Sequence, residues 1–141
     1  MSASQDCMYM VKQLHDTIEK NMNQALGRYD LTMMQMGALV LLHREKQGSC
    51  TMKEFEQVLH LAQSTTAGVV KRLEQKGYVE SSTDNRDRRI KNIHITPAGL
   101  ELCHSAVKTV DSTLQHMFDG LEKEELHMLV YLLKKACKAI Q

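Results

Sequence analysis

The sequence predicts a mostly α-helical fold carrying one small β-hairpin, on three observations. Apolar residues recur at three- and four-residue spacing along most of the 141 residues, the signature of amphipathic helices. One stretch alternates instead, with Ile93 and Ile95 set against Asn92 and His94, as a half-buried strand does. Helix-start signals punctuate the rest: Thr32-x-x-Gln35, Thr51-x-x-Glu54 and Thr96-Pro97 put a capping hydroxyl, or a proline, where backbone N–H groups lack partners.

The composition is that of a folded chain, 25% charged with a net charge of +1, and one domain over residues 1–141 is expected. No apolar run approaches the ~20 residues that span a bilayer. The opening Met-Ser-Ala-Ser-Gln-Asp-Cys lacks the basic-then-apolar pattern of a secretion signal, so the expected location is the cytoplasm, with no membrane partner.

The elements follow in order. A first helix is expected over about residues 4–27, where Met8, Val11, His15, Ile18, Met22 and Ala25 share a stripe that Leu14 and Leu26 widen. A second starts after Thr32 and runs to about Glu45, apolar nearly all round, so it belongs inside. Gly48-Ser49-Cys50 makes a turn and one bridge to the hairpin. Thr51 opens a short helix with Met52, Phe55, Val58 and Leu59 facing in.

The next helix organises the chain. Thr66, Val69, Val70 and Leu73 form its buried stripe, and Gln63, Ser64, Thr65, Ala67, Gly68 and Lys71 its opposite face. That face is small, polar and nearly uncharged, as a helix seated in a DNA major groove requires. Gly77 ends the helix. Strands at Tyr78–Ser81 and Ile90–Ile95 then flank a loop with three arginines in four residues, Arg86, Arg88 and Arg89. A guanidinium is always charged and donates from one plane, which suits phosphates and narrow minor grooves. Asp87 opposes DNA unless paired, so it is expected to brace Arg89 while Arg86 and Arg88 point outward. This is the layout of a helix-turn-helix with a β-hairpin wing.

Those residues carry a resemblance. Asp84-Asn85-Arg86-Asp87-Arg88-Arg89, the following Ile95-Thr96-Pro97-Ala98-Gly99 and the run Lys71–Val79 resemble the wing, the next helix start and the recognition-helix end of the MarR family of winged-helix transcriptional regulators. The resemblance covers nearly the whole chain. It implies that Asp87 and Arg89 brace the wing and that Gln63, Ser64, Thr65, Ala67 and Gly68 face bases. His60, Ala62 and Gly68 depart from the family pattern.

Charge supports a nucleic-acid partner. Residues 62–96 hold seven Lys/Arg against four acids, whereas the remainder is net negative, so positive charge gathers where phosphates would lie. After Thr96, the residues Leu100, Cys103, Val107, Val110, Leu114, Met117 and Leu121 form a coiled-coil-like seam. Gly120 breaks that helix, and Leu126, Leu129, Val130, Leu133, Cys137 and Ile140 line a last one. A winged lobe over 31–96 is too small to cover the helices of 1–30 and 97–141, so they are expected to dimerise. A homodimer would set two recognition helices about 34 Å apart on a palindromic operator.

Control is expected from a small apolar or aromatic anion, in the crevice that the family implies between the dimer helices and the DNA lobe. His15, Ile18, Met22, Met36, Val40 and His43 are its expected lining. Cys7, near the chain start, is the redox candidate, because an oxidation-sensing branch of the family carries a reactive cysteine near there. No metal site is expected: Cys103 and His104 point ~100° apart on a helix, and no two of the seven histidines are three or four residues apart. Without a phosphate loop or nucleophile elbow, neither an enzyme nor a cofactor is expected. The reading is a dimeric repressor released by ligand or oxidation; the alternative is a helical protein–protein adaptor that has lost DNA binding.

Overall fold

The computed structural model describes residues 1–45 and 47–140. In chain order it holds α1 (Ala3–Leu26), a 3-10 turn (Gly27–Tyr29), α2 (Met33–Arg44), β1 (Ser49–Thr51), α3 (Met52–Leu59) and α4 (Gln63–Gln75). These are followed by β2 (Val79–Thr83), β3 (Lys91–Ile95), α5 (Pro97–Met117) and α6 (Lys123–Ala139). The predicted helix starts are built as capping boxes. Thr32 Oγ1 accepts from the Gln35 N–H at 3.1 Å and Thr51 Oγ1 from the Glu54 N–H at 3.1 Å, each returned by the Gln or Glu side chain. Thr96 caps α5 through the Gly99 N–H, with Pro97 in the first turn.

The sheet is antiparallel in the order β1-β3-β2. The expected single bridge from the 48–50 turn is a three-residue strand, pairing Ser49, Cys50 and Thr51 with His94, Ile93 and Asn92. Ile93 is thereby central and fully buried. Around it pack Leu39 and Leu42 of α2, Phe55 of α3, Val70 and Leu73 of α4 and Val79 of β2. Cys103 and Ala106 bring α5 onto the same core.

Two close fits join α5 to the hairpin. Gly77 has φ +80°, the left-handed conformation that glycine adopts without cost, and its carbonyl accepts from Thr96 Oγ1 at 2.7 Å. At Gly99 a Cβ would run into the Tyr78 carbonyl oxygen, so only glycine lets α5 approach this strand.

One expectation is corrected, at Val58. Val58 is 56% exposed, because the short α3 packs only the stripe centred on Met52, Phe55 and Leu59. Met8 and Val11 are exposed while Met22 and Leu26 are buried, since only the C-terminal half of α1 meets the body. Every residue of α6 is exposed or half-exposed. Among the described residues no helix is long and apolar enough to cross a membrane.

Candidate nucleic-acid interface

The recognition helix α4 buries Thr66, Val69, Val70 and Leu73. Thr66 is polar yet fully buried, and its hydroxyl donates to the Ala62 carbonyl at 3.1 Å. Ala62 occupies the N-cap with no side-chain hydrogen bond, so the helix enters without the usual capping oxygen. His60, in the turn between α3 and α4, has φ +53°, a left-handed conformation strained for a residue with a Cβ. Both departures from the family pattern lie in the turn that sets the angle of α4.

Gln63, Ser64, Thr65, Ala67, Gly68 and Lys71 are all exposed, and at 100° per residue they divide into three groups. Ser64 and Lys71 stand on the outward crest. Gln63 and Ala67 line a hollow shared with Lys53, Glu56, Arg89 and Lys91, about 610 Å³ between α3, α4 and the wing. Thr65 and Gly68 line another of about 370 Å³ on the far side, with Arg72 of α4 and Glu19 and Asn23 of α1. The nominated face is therefore a crest between two recesses. Lys53 is a cation that the sequence pattern did not single out, and Arg72 and Lys91 entered it in the net charge of residues 62–96. Their signal was positional: Lys53 lies in the first turn of α3, Arg72 one turn beyond Gly68, and Lys91 at the start of β3.

The wing is held by two aspartates. Asp87 accepts from Arg89 twice, from Nε at 3.1 Å and Nη2 at 3.0 Å, and also from the Arg89 backbone N–H at 3.0 Å. The Arg89 guanidinium beside it holds the Asp87 carboxyl below its ordinary pKa. Asp84 takes a part that sequence reasoning missed. It accepts from Asn92 Nδ2 at 3.2 Å and from the backbone N–H groups of Arg86 and Asp87 at 3.0 and 3.1 Å. These bonds, the Asn92 amide first, lower its pKa as well. Asp-Asn at a hairpin tip is the legible sign of such a turn. Arg86 and Arg88 are exposed, and neither forms an ion pair among the described residues.

One cation leaves the DNA-facing inventory. Lys76, counted with the positive charge of residues 62–96, turns inward: its Nζ donates to the Asp30 carbonyl, lies 3.4 Å from the Asp30 carboxylate and donates to Gln35 Oε1 at 3.4 Å. It pins the end of α4 to the start of α2, where Gln35 is otherwise a buried polar side chain. Ser81 Oγ likewise donates to Glu74, tying α4 to β2.

The residues nominated for the ligand crevice differ in exposure within one chain. Met22 and Met36 are buried as core, Ile18 and Val40 are half-buried, and His15 and His43 are exposed. His43 lines a hollow with Glu45, Gln47, Ile95 and Leu100. Cys7 is exposed and unpaired among the described residues, as is Cys137; Cys103 is buried. Burial, with Glu54 and Glu45 nearby, pushes the Cys50 thiol up to about 11, which keeps it protonated and unreactive.

Comparison with known proteins agrees with this geometry. A sequence model described as the MarR family matches residues 29–90. The chain is 26% identical to the uncharacterized HTH-type transcriptional regulator YwhA of Bacillus subtilis, over 86% of this chain and 96% of that one. Its fold matches that of MepR in the S. aureus MepR-DNA complex, with TM-score 0.86, 23% identity and coverage of 99% and 98%. It also matches Bordetella bronchiseptica BpsR, whose DNA binding is regulated by 6-hydroxynicotinic acid, with TM-score 0.85, 26% identity and coverage of 94% and 98%. An exposed helix α4 beside an arginine-tipped, aspartate-braced wing, together with these similarities, makes the chain similar in sequence and fold to the DNA-binding transcriptional regulators of the MarR family.

Proposed function

We propose that the protein acts in the cytoplasm as a homodimeric repressor of genes bearing a palindromic operator, released by a small ligand or by oxidation. The observation that carries the dimer is α6: Met128, Tyr131 and Leu132 are each more than half exposed, and a helix with that much apolar surface needs a covering partner. Residues 1–30 and 97–141 supply the dimer helices and residues 31–96 the DNA lobe. Ser64 and Lys71, with Gln63 and Ala67 beside them, enter the major groove, and Thr65 and Gly68 border it. Arg86 and Arg88 reach the flanking minor groove or its phosphates.

A small apolar or aromatic anion is the favoured effector class, supported by the ligand control of BpsR. The crevice for it would be completed by the second protomer and lined by His15, Ile18, Met22, Met36, Val40 and His43. Cys7, exposed on the first helix, is the redox alternative. A helical adaptor that has lost DNA binding is not favoured, because the relatives are regulators of transcription.

Selection of the reduced protein against a random duplex library tests this reading. Enrichment of a two-fold symmetric motif with half-sites about 10 bp apart is the expected result. Recovery of no motif by a folded dimer would overturn it.

A further inference from the structure

His43 lies in the last turn of α2 and His104 in the second turn of α5. Both are exposed, with ring centres 5.1 Å apart and planes at 83°. Three other histidines are engaged: His15 lies 3.5 Å from Asp16, His94 3.0 Å from Ser82 and His116 3.4 Å from Asp119. The rings of His43 and His104 have no hydrogen-bonding or ionic partner among the described residues.

The geometry points to a two-imidazole site for a transition-metal dication of the Zn²⁺, Ni²⁺ or Cu²⁺ class, clamping α2 to α5. Two imidazole nitrogens, each ~2.0–2.1 Å from one ion at a near-tetrahedral angle, carry their ring centres about 5 Å apart. The pair already stands at that separation, so rotation of two exposed rings suffices and the backbone need not move. Imidazole suits these ions better than it suits Mg²⁺ or Ca²⁺. The two imidazoles would supply two ligands, with water completing the shell.

The site joins elements distant in sequence: α2 packs in the core of the DNA lobe, and α5 runs from that lobe into the terminal helices. An ion held by both favours the conformations in which they stay together and stabilises the folded chain by mass action. The competing donor set is His15, Asp16 and Glu19 on α1, whose ligand atoms lie within 4.8 Å of one another. That set is weakened because Asp16 is already paired with Lys12 at 2.6 Å.

Calorimetric titration of the reduced full chain with NiCl₂ tests the inference, Ni²⁺ being chosen because it does not oxidise thiols. One equivalent is expected to bind. His43→Gln and His104→Gln should each weaken it roughly tenfold or more, with His15→Gln, Cys7→Ser and Cys137→Ser close to the parent. In chelator, both α2 and α5 variants should melt with the parent, since the side chains are exposed; the rise in melting temperature on adding Ni²⁺ should vanish in both. No Ni²⁺ uptake by the parent, or uptake lost in His15→Gln or the cysteine variants but kept in His43→Gln and His104→Gln, would overturn it.

Discussion

The recognition helix α4 and the last helix α6 have the same apolar period and opposite fates. Along α4, Val70 and Leu73 are at 2% and 0% exposure, sealed by α2, α3 and the hairpin. Along α6, Met128, Tyr131 and Leu132 are at 57%, 59% and 52%. A three-to-four spacing says that a face will be covered but not by what. The DNA lobe finds its cover within the chain; α6 does not. The lobe can therefore be probed by folding stability and α6 by association.

The largest effect should come from the centre of the lobe. Phe55→Ala removes a fully buried ring and should cost about 3–5 kcal/mol, read as a fall in the urea midpoint. A loss below about 1 kcal/mol, well under the usual cost of such a cavity, would mean that the lobe core is no tighter than α6. On α6, Met128→Glu with Leu132→Glu should leave that midpoint of the dissociated chain in place. Burying two carboxylates at a dimer contact should instead weaken association by several kcal/mol, seen by sedimentation as monomer. An unchanged dimer would place the contact elsewhere.

Gly99→Ala tests the closest approach in the fold. A methyl group against the Tyr78 carbonyl forces α5 away from β2, at about 1–3 kcal/mol; thermal melting should show it. The opposite sign is expected for Ala62→Ser, which supplies the oxygen that the N-cap of α4 lacks. It should stabilise by about 1 kcal/mol, and a null result would mean that the α3–α4 turn cannot present a serine hydroxyl to the helix amides.

The smallest effects on stability, and the clearest on DNA, lie in the wing. Arg86→Ala with Arg88→Ala removes two exposed cations. Melting should not move, but the slope of log K against log salt should flatten by about 0.9 for each phosphate that the wing no longer neutralises. Acid acts on the same loop through Asp84 and Asp87. Their folded pKa values lie below the ordinary 3.8, so their contribution is complete above that value and fades as pH falls through the depressed ones. Amide shifts of the wing followed by NMR should stay constant from neutral pH to near the ordinary carboxylate value of about 4 and move only below it.

How much was legible in advance follows from how local each signal is. The capping boxes at Thr32 and Thr51, the Thr96-Pro97 start and the Gly77 stop are written within four residues, and each appears where its residues stand. The Asp87–Arg89 pair is two residues apart and equally local. Val58 was misplaced because a short helix offers too few turns to define the edge of its stripe. Lys76 was misassigned because its partners, Asp30 and Gln35, are distant in the sequence, and a lysine destined for an internal tether looks like one destined for phosphate.

By itself the sequence determined the helix and strand inventory, the face that α4 exposes and the wing that follows it, because these rest on periodicity and near-neighbour hydrogen bonds. Only the tertiary structure decided that Gly99 must be glycine, that α4 presents a crest between two recesses, that Met22 and Met36 are each buried, and that His43 meets His104. Each of these depends on the distance between elements far apart in the chain, and no local pattern encodes that distance.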